Sequence, residues 1–178
     1  MDDENKILEF GIKRENEERR DGGCSVVFDP KTQKYAVYKN LKNGVLGLFG
    51  GGFDESENEE DGSLRELIEE SGLIDFSHVE KIDKVLTHYF NSNKEVARVA
   101  YATCFLVILN SINTQQTKLE EHENFELVWA NHNEILSSWK SRNHNKDYDH
   151  WVYFLEKAVK RAIELGHDKT SILSDINN

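Results

Sequence analysis

Between Gly51 and Leu73 the chain reads GGFDESENEEDGSLRELIEESGL, and this spacing leaves little freedom in what these residues can form. Glu66, Glu69 and Glu70 stand at i, i+3 and i+4, which stacks three carboxylates on one turn of one helical face. Unpaired, they repel one another. A hard divalent cation, Mg²⁺ or Mn²⁺, turns that repulsion into coordination. The flanks mark the ends of the helix. Asn58 is the expected N-cap, with Asp61 in a capping-box-like position three residues on. Glu59, Glu60 and Asp61 suit the positive end of the helix dipole. Leu64, Leu67 and Ile68 form an apolar stripe, and Gly72 is placed to end the helix in a left-handed conformation. Upstream, Gly50-Gly51-Gly52 follow the apolar stretch Val45–Phe49. They are expected to make a tight loop whose carbonyls approach a metal or a phosphate.

Written as a pattern, the stretch is G-x5-E-x7-R-E-U-x-E-E-x-G-U with U aliphatic, carried by Gly51, Glu57, Arg65, Glu66, Leu67, Glu69, Glu70, Gly72 and Leu73. It resembles the Nudix box at every constrained position, a coincidence on the order of 10⁻⁷ per starting point. Gly62 departs from the family, which usually has alanine near this point, and costs ~1 kcal/mol of helix propensity. The resemblance implies the Nudix fold, an α/β class α/β/α sandwich around a curved mixed sheet. It also implies hydrolysis of a nucleoside diphosphate linked to a further moiety X. By motif position Glu66, Glu69 and Glu70 would hold the metal, with Glu57 in direct or outer-sphere support and the Gly50 or Gly51 carbonyl completing the sphere. Arg65 would pair with a box glutamate and orient it. The general base would be one of the box glutamates or a carboxylate from a later loop, where Glu120, Glu121, Glu123 and Glu126 are the candidates.

Two finer resemblances bear on the substrate. The run His122-Glu123…Trp129 looks like the His-Glu-x5-Trp segment of asymmetric dinucleoside tetraphosphate hydrolases, which favours Glu123 as metal ligand or base. Tyr89, 16 residues after Leu73, stands near the spacing that marks diadenosine polyphosphate hydrolases and is the candidate base-stacking residue. Arg19 and Arg20, just before the first apolar strand, are either surface charge or contacts to substrate phosphate. The alternatives are ADP-ribose or nucleoside triphosphate hydrolysis, or a catalytically idle module that senses a nucleotide. Degenerate members of that last kind lose box glutamates, and none is lost here.

The remaining chain reads as one domain over residues 1–178. Residues 1–21 form a charged arm, expected to fray or to make a first edge strand. Cys24–Asp29, Tyr35–Lys39, His78–Phe90, Glu95–Leu109 and Phe125–Ala130 read as strands, Asn131–Trp139 as a short helix, and 110–124 as a loop. A strong amphipathic helix is expected within 147–166, where Trp151, Phe154, Leu155, Ala158, Ala162 and Leu165 recur at helical spacing. It would cap the domain or make a homodimer contact. The last dozen residues are expected to fray. A hydrophobic content of 38% suits a real core, and no apolar run is long enough to span a membrane. The charged N-terminus lacks a signal-peptide core. Cys24 and Cys104 are expected as reduced, buried thiols, as in a cytoplasmic protein. The net charge of −11 disfavours duplex nucleic acid as a partner, so a small nucleotide or dinucleotide is the expected ligand.

Overall fold

A computed structural model describes residues 6–170. The elements run β1 (Glu9–Gly11), β2 (Glu18–Arg19), β3 (Gly22–Asp29), β4 (Lys34–Asn40), β5 (Leu46–Gly47), β6 (Phe49–Gly52), α1 (Glu59–Ser71), β7 (Phe76–Asn91), β8 (Val96–Leu109), β9 (Phe125–Ala130), α2 (His132–Lys140) and α3 (Asp149–Glu164). The strands make one mixed, curved sheet in the order β1-β7-β8-β3-β4-β5, with β2 on β8, β6 on β3 and β9 on β4. The pairs β1–β7, β2–β8 and β3–β8 are parallel and the others antiparallel.

The period-two alternation of β3 and β8 builds the two sides of the sandwich. Cys24, Val26, Phe28, Cys104, Leu106 and Ile108 face one way, against Ile135 and Trp139 of α2 and Phe154, Leu155, Ala158 and Ala162 of α3. Val27, Val107 and Leu109 face the other way, with Leu67 of α1. Each fully buried large side chain of this kind contributes about 1.5–3 kcal/mol. The sheet is therefore covered on both faces, as the α/β/α expectation requires. Cys24 and Cys104 are free, buried and directly opposed in the β3–β8 register. Among the described residues, no helix is long and apolar enough to cross a membrane.

Two expectations change and one open alternative is settled. The glycines at 50–52 are not a tight loop but part of β6, antiparallel to Gly22–Ser25 of β3. Their lack of a Cβ serves close approach: a Cβ on Gly50 would stand 2.3 Å from the Gly23 carbonyl oxygen. The arm, open between fraying and an edge strand, supplies edge strand β1 beside β7 and then β2 beside β8. The expected fraying of the last dozen residues fails at its start. Asp168 is 1% exposed and accepts a 2.6 Å hydrogen bond from the Tyr35 hydroxyl, which ties the tail to β4; residues 171–178 lie outside the described residues.

Candidate active site

Helix α1 begins and ends where its sequence dictates. The Asn58 side chain accepts from the Asp61 amide, and Gly72 closes the helix at φ 77° with its own amide on the Ile68 carbonyl. The buried positions are Gly62, Ser63, Leu67, Glu70 and Ser71, so the face turned to the sheet includes a carboxylate. Ser63 packs over Gly23, and Gly62 lies so close to Phe53 that a Cβ there would be 2.5 Å from its ring. The departure at Gly62 thus has a steric reason.

Glu70 is 6% exposed and accepts a 2.9 Å hydrogen bond from the Gly50 amide. Burial pushes its pKa well above the usual carboxylate range; the charges of Glu123, Glu66 and Glu120 push the same way, and the Gly50 amide opposes them. Glu66 lies over Gly51, where a Cβ would fall 2.5 Å from its Oε2. Its pKa is also raised, by burial first, with Arg65 acting against it and Glu69 and Glu123 adding to it. Arg65 is the organiser of this group. It grips Glu57 with Nε (2.7 Å) and Nη2 (3.0 Å), reaches Glu66 (2.7 Å) and Glu69 (3.3 Å) with Nη1, and donates to the Gly52 carbonyl. The two-toothed grip holds the Glu57 carboxyl down at about 2, helped by the Asp54 amide.

The 110–124 loop docks on the end of this helix. The Gln115 amide donates to the Gly72 carbonyl and the Lys118 amide to that of Glu69. A cleft of about 370 Å³ lies between the two, lined by Arg65, Glu69, Gln115 and Lys118 among others. Farther along, donor atoms of Glu120, His122 and Glu123 lie within 4.8 Å of one another. Of the four glutamates named from the sequence, Glu120 and Glu123 act on the Glu70 carboxyl; Glu123 is half-buried, and Glu120, Glu121 and Glu126 are exposed. His122 pairs locally with Glu120 at 3.3 Å.

Tyr89 stands elsewhere, and Arg20 at the edge of this group. Tyr89 shares a face of β7 with Val85, beneath α3, and its ring packs 5.7 Å from that of His150. Helix α1 covers the opposite face. Burial raises the Tyr89 hydroxyl pKa while the charges of Arg98 and Arg20 lower it. Arg20 lies against the turn end of β6, its Nε 2.2 Å from where a Gly52 Cβ would be. It makes no ion pair among the described residues, whereas Arg19 pairs with Asp21 and lies 5.0 Å from the Tyr101 ring centroid.

Tyr38 belongs to this neighbourhood and escaped the sequence reading. It stacks on Phe125 at 4.0 Å, and its hydroxyl pKa is pushed up by burial, then by the charges of Glu70, Tyr148 and Glu123. The signal was the β4–β9 register, which brings Tyr38 beside the strand after the acidic loop. The Gly50 amide was the other surprise, since the glycines were expected to offer carbonyls.

The donor set fits a divalent cation. It consists of carboxylate oxygens whose burial, and then mutual charge, hold Glu66 and Glu70 up in pKa, a condition that a hard cation relieves. Comparisons with known proteins agree with the architecture. A family model described as the NUDIX domain matches residues 19–153. A putative NUDIX hydrolase from Listeria monocytogenes superposes with a TM-score of 0.58 at 19% identity, covering 83% of this chain and 96% of that one. The MutT protein of Methanosarcina mazei gives 0.56 at 17%, covering 83% and 98%. The NUDIX domain of Shewanella oneidensis NrtR, complexed with ADP ribose, gives 0.56 at 18%, covering 82% and 89%. At these identities the structural likeness speaks to the fold. No curated protein matches the chain significantly.

Proposed function

The chain belongs to the NUDIX domain family, and we propose that it is a divalent-metal-dependent pyrophosphohydrolase that cleaves a phosphoanhydride bond of a nucleoside diphosphate linked to X. The observation that carries the reading is the buried Glu70, set among Glu66, Glu120 and Glu123 with the Gly50 amide donating to it. Glu66, Glu69 and Glu70 would hold Mg²⁺ or Mn²⁺, with the Gly51 carbonyl as a further oxygen. When bound, the cation supplies charge neutralisation at the phosphate and a lowered pKa for water.

The chain's own residues do the rest. Arg65 ties Glu57 to Glu66 and sets the direction of both carboxylates, so Glu57 acts as a brace, its two oxygens already occupied. Glu123, on the loop that closes over α1, is the general base that takes a proton from the attacking water. In-line attack at phosphorus then expels a phosphate-terminated fragment, a reaction that needs positioning and charge compensation more than covalent chemistry. Arg20 receives a substrate phosphate at Gly52. Tyr89, beneath α3 and beside His150, offers an aromatic surface to a nucleobase.

The preferred substrate is diadenosine tetraphosphate, on the strength of Tyr89 and the His122-Glu123…Trp129 run. ADP-ribose, the ligand of the Shewanella domain, has the same pyrophosphate core and is the second substrate to test. A nucleotide panel with Mg²⁺ or Mn²⁺, read by product chromatography, is the test. Conversion of diadenosine tetraphosphate to ATP and AMP is expected. Rapid cleavage of ADP-ribose or simple triphosphates with no attack on the dinucleotide would overturn the substrate and leave the reaction class standing.

A further inference from the structure

The arm that precedes β3 is fastened at one histidine. Gly11 runs so close to β7 that a Cβ there would fall 1.9 Å from the His88 carbonyl oxygen, at a φ of +82°. The His88 ring is almost wholly buried. Its Nε2 lies 2.8 Å from Glu9 Oε1, and its Nδ1 lies 2.9 Å from Glu17 Oε2. The ring thus lies between two carboxylates, one at each nitrogen. The Glu17 side chain is itself only 6% exposed. Burial raises its carboxyl pKa, but the Arg14 amide and His88 outweigh that and bring it below its ordinary value.

Glu9 belongs to β1, and Glu17 immediately precedes β2, so this bridge closes the connection between the two strands. The other charged groups at the bridge are Lys13 and Arg14, beside Glu17; the β8 residue opposite His88 is the uncharged Val99. The other side-chain ties of β2 among the described residues are the pair Glu18–Arg98, in which Glu18 is 64% exposed, and Arg19, also 64% exposed, beside Asp21 and the Tyr101 ring of β8. Exposed pairs of that kind contribute little, whereas breaking a buried pair leaves an uncompensated charge. β2 has two residues, and Arg20 follows it directly, its amide on the Val99 carbonyl at 3.1 Å. The position of Arg20 against Gly52 therefore hangs on how firmly β2 is held.

We propose that His88 is a positioning residue of this hydrolase: by bridging Glu9 to Glu17 it fixes β2 so that Arg20 stands at Gly52 to receive a substrate phosphate. The inference rests on the reading of Arg20 as a phosphate contact, and the test separates the two. Steady-state constants are measured for Arg20→Ala, His88→Gln and the double variant of the full chain, on whichever of diadenosine tetraphosphate and ADP-ribose the wild type cleaves. Hydrogen exchange of the amides of residues 17–20 is followed in parallel.

Arg20→Ala raises KM about tenfold at nearly unchanged kcat, the loss expected for one charge-assisted hydrogen bond. His88→Gln gives a KM rise of the same kind, speeds exchange at residues 17–20, and adds nothing in the Arg20→Ala background. Glu9→Gln, at a 62% exposed carboxylate, keeps the fold if His88→Gln does not, and shifts KM in the same direction with the same dependence on Arg20. A KM increase from His88→Gln that multiplies that of Arg20→Ala, or exchange at 17–20 that stays at the wild-type rate, overturns the positioning role alone. A wild-type KM in Arg20→Ala overturns the phosphate contact, and the positioning role with it.

Discussion

Glu70 is a carboxylate held where a carboxylate is costly. It is 6% exposed and surrounded by like charges, with the Gly50 amide as its one hydrogen-bond donor among the described residues. Glu70→Gln is expected to keep the fold and lower kcat by at least ~10², because a charged ligand is lost. The same change relieves repulsion in the metal-free protein, so its melting temperature without metal at neutral pH should rise; a clear fall would contradict the arrangement. His150 makes a pH prediction. Burial lowers its pKa from 6.5 to about 4, and its Nδ1 has no hydrogen-bond partner among the described residues. The unfolded chain takes up that proton below pH 6.5 and the folded chain only near 4. Stability from this group is complete above 6.5 and is lost as pH falls through that window. His150→Phe should flatten the acid side of the stability curve between those limits, and an unchanged slope would sink the assignment.

At the scale of the element, α1 was legible from end to end. Its cap at Asn58, its left-handed stop at Gly72 and its acidic turn all depend on neighbours within a few residues. The three glycines before it were misread, because whether they form a turn or a strand is decided by the Gly22–Ser25 segment far upstream in the chain. Gly62 shows how tertiary packing reverses a local rule. Helix propensity favours Gly62→Ala by ~1 kcal/mol. The added Cβ would sit 2.5 Å from the Phe53 ring and 2.9 Å from Glu57 Oε2, in the grip that Arg65 maintains. A lower melting temperature is therefore expected for Gly62→Ala, and a higher one would mean that Phe53 moves aside freely.

Across the whole molecule, the long strands and the amphipathic α3 were readable from periodicity. The two-residue strands β2 and β5 were not, since they have no period of their own and exist through pairing with β8 and β4. The same limit hid the place of Tyr89: its spacing from the box was visible, but not that β7 turns it toward α3 and away from α1. Tyr38 was missed for the same reason. With a net charge of −11, the molecule repels a polyphosphate at long range, so the proposed function requires local compensation, which it assigns to Arg20 and to a cation at the box. Turnover of the best substrate in the nucleotide panel, measured by product chromatography with Mg²⁺ and again in excess EDTA, tests this account most directly. It predicts hydrolysis with Mg²⁺, none under chelation, and recovery when Mg²⁺ is restored. Full turnover in excess EDTA, with no metal carried over, would contradict it.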